Sequence, residues 1–106
     1  MTEHAVIVRL DSPDLLENTD EVYRLCDQLE AVLDKAGAGE LDGHEFGSDG
    51  CTVFMYGPDA AALYQSVESY LAKWTGEGHV IQRFGEAGDP NARTVRVDFP
   101  SRGHRE

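Results

Sequence analysis

The chain has 106 residues, 41% of them hydrophobic and 27% charged, a balance that suits one folded domain with a single two-layer core and excludes a disordered chain. Its 20 Asp/Glu against 9 Lys/Arg give a net charge of −11, which repels nucleic-acid phosphates and anionic lipid. No apolar run approaches the roughly 20 residues of a membrane span, so neither nucleic acid nor membrane is an expected partner.

His4 to Leu10 is a short β-branched run that reads as a strand, with Val6, Val8 and Leu10 on one face and Ala5, Ile7 and Arg9 on the other. The segment before it, Met1-Thr2-Glu3-His4, has no basic stretch, and Ala5 to Val8 is too short for a signal peptide, so a cytoplasmic location is expected. Asp11 to Glu17 is polar, contains Pro13 and reads as a loop. Asn18 then opens a helix, with Glu21 completing a capping box. Val22, Leu25, Cys26, Leu29, Val32, Leu33 and Ala36 form its apolar stripe, while Asp20, Glu21, Asp27, Glu30 and Asp34 lie off it. Gly37 and Gly39 end the helix.

Glu40 to Phe46 and Cys51 to Tyr56 read as two strands joined by the turn Gly47-Ser48-Asp49-Gly50. Gly57 and Pro58 stop the second strand, and Asp59 caps a helix carrying Ala60, Leu63, Tyr64, Val67, Tyr70, Leu71 and Trp74 at core spacing. That helix stops at Gly76 to Gly78. His79 to Phe84 and Arg93 to Phe99 form a second hairpin, and Ser101 to Glu106 is a tail beyond a single domain over residues 1–100. The order β-α-β-β-α-β-β, with right-handed crossovers, predicts an α+β fold: a ferredoxin-like two-layer sandwich, an antiparallel sheet with both helices on one face. In it the first and fourth strands are neighbours and the fifth lies at the edge beyond the fourth.

Asp42-Gly43-His44-Glu45-Phe46-Gly47, Tyr56-Gly57-Pro58-Asp59-Ala60 and Arg83-Phe84-Gly85 together resemble the pattern of a family of small bacterial proteins, Asp-Gly-x-Glu-x-Gly, Tyr-Gly-Pro-Asp-Ala and Arg-aromatic-Gly. The match spans about residues 39 to 86. His44 stands where that family usually has a small polar residue. The resemblance implies the ferredoxin-like fold and carries no assigned activity.

Little in the chain suggests catalysis. Strand alternation puts Asp42 and His44 on one face and Glu45 on the other, too few converging ligands for a metal, and no metal-binding or phosphate-loop motif is present. No cofactor is expected. Cys26 and Cys51 read as reduced packing residues. No histidine sits beside a nucleophile turn.

The sheet face away from the helices holds more promise. It is expected to carry Ile7, Arg9, Thr52, Phe54, Tyr56, Thr94, Arg96 and Asp98, with Asp42 and His44 beside them, an aromatic centre with a charged rim. Residues 1–50 hold thirteen acids against three bases and residues 51–106 seven against six. The chain therefore reads as a non-enzymatic binding domain that meets a basic protein, as an immunity-type inhibitor would, through the acidic helix face Asp27, Glu30 and Asp34, or pairs with itself through the sheet face. The alternative is a small-ligand or weakly enzymatic domain in which Arg9, Tyr56, Arg96 and His44 hold an anionic group.

Overall fold

The computed structural model describes residues 3–11, 19–47, 50–74 and 77–99. Its elements are β1 (His4–Asp11), α1 (Thr19–Ala36), β2 (Glu40–Gly47), β3 (Gly50–Gly57), α2 (Ala60–Ala72), β4 (Glu77–Phe84) and β5 (Arg93–Phe99). The expected Asn18 cap, the loop over 12–17, the turn residues Ser48 and Asp49, Gly76 and the tail over 101–106 lie outside the described residues.

Five strands form one sheet in the order β2-β3-β1-β4-β5, every neighbouring pair antiparallel. β4 lies beside β1, and β5 beyond β4, which are the neighbours the sequence suggests. Alternation fixes the inner face. Val6, Val8 and Leu10 of β1, Cys51, Val53 and Met55 of β3, and Val80 of β4 are fully buried, and they join Val22, Leu25, Cys26, Leu29 and Leu33 of α1 and Ala60, Leu63, Val67 and Leu71 of α2 in one core cluster. Val32, Tyr64, Tyr70 and Trp74 pack against that cluster half-buried, whereas Ala36, placed on the stripe by its spacing, is exposed. The indole N–H of Trp74 is buried and has no hydrogen-bond partner among the described residues.

Helix ends follow local chemistry. α1 closes in a Schellman arrangement: the Ala38 N–H donates to the Leu33 carbonyl at 3.2 Å, the Gly37 N–H to Asp34 at 3.3 Å, and Gly37 takes the left-handed φ of 64° that this cap needs. α2 begins with two acceptors. The Asp59 carboxylate accepts from the Ala61 N–H at 3.0 Å, as its place in the sequence suggests, and His4 Nδ1 accepts from the Ala60 N–H at 3.0 Å. The first strand is thereby tied to the start of the second helix. The His4 ring also stands edge-on to Phe84 at 5.7 Å.

β2 departs from simple alternation. Its register against β3 shifts between Leu41 and Gly43, leaving Asp42 as an extra, exposed residue in a β-bulge. Leu41 therefore opposes Met55, His44 opposes Val53 and Phe46 opposes Cys51, all on the core side. The expectation that His44 shares the outer face with Asp42 is corrected here. One unpaired residue reverses the phase of everything after it.

Candidate functional site

Across the outer face, side chains fall in transverse rows set by the strand register. Gly43, Phe54, Ile7, Ile81 and Arg96 make one row from edge to edge. Glu45, Thr52, Arg9, His79 and Asp98 make the next, and Glu40, Tyr56, Ala5, Arg83 and Thr94 a third. Ile7, Phe54 and Ile81 are half-buried at the centre, while Glu40, Glu45, Arg96 and Asp98 are exposed at the rims. The centre is mainly aliphatic, with Phe54 its one ring, instead of aromatic; Ile81 and Arg83 join this face, while Asp42 falls in the bulge and His44 on the core side.

The cations of this face are largely engaged within their own chain. Arg9 Nε donates to Asp11 at 2.8 Å and Nη1 to the Thr52 hydroxyl at 3.4 Å, which folds the guanidinium along the sheet. Arg96 Nε donates to Asp98 at 2.9 Å, a solvent-exposed pair that contributes little to stability. Arg83 donates to the Gly85 and Glu3 carbonyls. The anion-holding set of Arg9, Tyr56, Arg96 and His44 does not assemble: His44 projects from the opposite face, and β4 lies between the strands bearing Arg9 and Arg96.

A second surface lies along α1. Asp20, Tyr23, Asp27, Glu30 and Asp34 recur at intervals of three and four and form one exposed stripe. The helix's two cations, Arg24 and Lys35, lie on the other flank, where they border shallow clefts against Tyr70 of α2. Asp20, Asp27, Glu30 and Asp34 thus fall on the β2 side of the helix, whereas Glu21 lies with the cations on the α2 side. Tyr23, 49% exposed, sits within the acidic stripe. Its ring meets His44 edge-on at 5.2 Å and Phe46 at 6.0 Å, and His44 meets Phe46 at 5.3 Å. The expected acidic residues Asp27, Glu30 and Asp34 are all present on this face. Tyr23 was outside the sequence-based candidates because core spacing passes over it; an aromatic at a polar helix position was the available signal.

An open cleft of about 650 Å³ lies at the end of α1 between Glu3, Asp34, Glu40, Tyr56 and the backbone at Gly37, Gly39 and Gly57. Its three carboxylates make it unsuited to an anion. Among the described residues no three His, Cys, Asp or Glu side chains gather in metal-holding geometry, and no helix is long and apolar enough to cross a membrane.

Both cysteines are buried and free. Burial pushes the Cys26 thiol up to about 11, with Cys51, Asp27 and Glu30 adding in the same direction. Cys51 is also raised, by burial, against the backbone hydrogen bond at Glu45 and the Arg9 charge, which lower it. Neither is a nucleophile near neutral pH. In the unfolded chain the Cys26 thiol ionises near its ordinary value of 9.0, whereas the folded protein keeps its proton until about 11. Stability is therefore expected to fall as pH rises through that window, by about 3 kcal/mol from this group at most. Tyr64, raised by burial and by Glu68, adds to the same slope. Denaturant midpoints measured from neutral pH upward should decline there, and Cys26→Ala should flatten the decline; an equal slope in that variant would reject the assignment.

Comparison of the chain with protein-family models, with curated proteins and with solved structures finds no match.

Proposed function

We propose that this chain is a non-enzymatic interaction domain of ferredoxin-like topology that captures a basic protein segment along α1 and the adjoining edge strand β2. The observation that carries this reading is the uneven charge on α1: four of its five acids and one exposed tyrosine lie on one flank, and both cations lie on the other with Glu21. Asp27, Glu30 and Asp34 stand three and four residues apart, a like-charge spacing that works against the helix rather than for it. The Tyr23 ring, fixed by His44 and Phe46, offers a face for a cationic side chain, and the flanking carboxylates offer its counter-charge. Acidic residues along the whole flank also steer a basic partner toward it before contact.

The ferredoxin-like part of the reading is supported by the β2-β3-β1-β4 order, by antiparallel pairing throughout, and by one core cluster that both helices share with one sheet face.

The test uses a short arginine-rich peptide and amide chemical shifts of the full chain. Shifts should concentrate on Asp20 to Asp34 and on Gly43 to Gly47, and should fade with added salt. Replacing Asp27, Glu30 and Asp34 together by Asn, Gln and Asn is expected to lower the association rate about tenfold at low salt. Shifts spread evenly over the surface, or an unchanged rate in the triple variant, would reject the α1 flank as the docking surface.

A further inference from the structure

We propose that the outer face of the sheet joins two copies of this chain in a symmetric dimer whose two-fold axis runs parallel to β1. The strand order, the composition of the rows and the placement of charge make this face self-complementary, independently of the α1 flank.

The order β2-β3-β1-β4-β5 has β1 at its centre. Two such sheets facing one another, related by rotation about an axis parallel to β1, stack β1 on β1, β3 on β4 and β2 on β5. Each transverse row then meets its own reversed copy. In the row Gly43–Phe54–Ile7–Ile81–Arg96 the consequences are specific. Ile7 meets the partner's Ile7 at the axis, and Phe54 meets the partner's Ile81 twice, so the half-buried apolar groups of the face cover one another.

The ends of that row are complementary in shape and charge. Gly43 has no side chain, and a Cβ placed there would meet none of the described residues within 4 Å, which leaves a gap on β2 among them. The exposed carboxylates Glu40 and Glu45 stand in the rows on either side of it. Arg96, at the far end of the row on β5, arrives over this gap from the other copy. Its exposed guanidinium then bridges its own Asp98 and the partner's Glu40 and Glu45, twice by symmetry. In the row Glu40–Tyr56–Ala5–Arg83–Thr94, Tyr56 comes over the partner's Arg83, a cation–π arrangement. In the row Glu45–Thr52–Arg9–His79–Asp98, Glu45 comes over the partner's Asp98, so Arg96 must stand between two carboxylates, and the two Arg9 groups approach the axis already paired with Asp11 and lying along their sheets.

The size of the face suits a dimer. Five strands at about 4.8 Å spacing and roughly 3.4 Å per residue over their length present on the order of 600 Å² per copy, or about 1,200 Å² in total, at the lower end of stable interfaces. Sheets stacked face to face at about 10 Å allow such side chains to interdigitate.

Sedimentation equilibrium of the full chain at micromolar concentration is expected to give twice the 11.7 kDa chain mass. Ile81→Arg, which sets a cation against the partner's Phe54, should raise the dissociation constant by about thirtyfold or more while leaving the far-ultraviolet circular dichroism unchanged. Arg96→Glu should weaken the dimer about tenfold at low salt, and Glu45→Lys in the same chain should restore it. This charge exchange at the exposed rim decides the matter even if Ile81→Arg fails to fold. A monomer across the concentration range, or a dimer that neither Ile81→Arg nor Arg96→Glu weakens, would overturn the proposal. The α1 triple variant should dimerise as the parent does, so a failure of one surface is distinguishable from a failure of the other.

Discussion

Replacing Gly39 by alanine is expected to remove about 3 kcal/mol or more of stability, a large part of the roughly 5–15 kcal/mol available to a domain of this size. Two effects act together. The backbone at Gly39 has φ 155°, a region that residues with a Cβ rarely occupy. The added Cβ would also collide with the Tyr56 carbonyl oxygen and approach Leu63 Cδ2 to 2.8 Å and Gly57 Cα to 3.0 Å. Neither the carbonyl nor the Cα is the end of a flexible side chain, so relief requires β3 to move. Here the link between α1 and β2 crosses the end of β3 at backbone contact distance, and the fold depends on that closeness. Gly47→Ala is the control, because among the described residues its Cβ would meet the Gly50 oxygen alone, at 3.9 Å. Denaturant melts of the two variants should differ by several-fold in lost stability; equal losses would mean that the crossing is not tight.

Leu29→Ala should cost about 3–4 kcal/mol and act on function as well as on stability. Leu29 is fully buried at the middle of α1, in the same cluster as the inner-face residues of β1 and β3. Truncating it leaves a cavity under the helix that carries the acidic stripe. Because α1 holds Tyr23 against His44 and Phe46, loosening the helix should disperse the ring cluster before the sheet unfolds. Hydrogen exchange would show this as faster exchange at α1 amides with β1 and β3 still protected. A uniform acceleration in all elements would instead mean that α1 and the sheet open as one unit.

Much of the secondary structure was legible in the chain. β5 runs from Arg93 to Phe99 as its alternating pattern indicates, and the apolar spacing of α1 from Val22 to Leu33 marks its buried face. These elements follow a single period from end to end, so pattern and structure agree. The outer-face residues Arg9, Phe54, Tyr56, Arg96 and Asp98 were legible for the same reason. His44 was not. Asp42-Gly43, a pair that strands disfavour and bulges accept, was the available signal, but it does not say that the strand continues beyond it in the opposite phase. Tyr23 was also hidden, since its role depends on two rings from another element that only the folded register brings to it. The Arg9–Asp11 and Arg96–Asp98 pairs were visible as same-face neighbours two residues apart, although their presence as contacts is a matter of rotamers.

The bulge at Asp42 also sets where this chain can change length. From Gly43 to Gly47 the strand pairs residue for residue with β3, so a residue lost before Phe46 leaves that side chain on the core only by straightening the bulge. Losing Asp42 itself would leave Leu41, His44 and Phe46 facing as they do now, in a straight strand. Single-residue deletions therefore disturb β2 least at Asp42-Gly43, where the bulge supplies the spare residue. Related chains that keep this fold should differ in length by one residue at that link before they differ anywhere else in the strand.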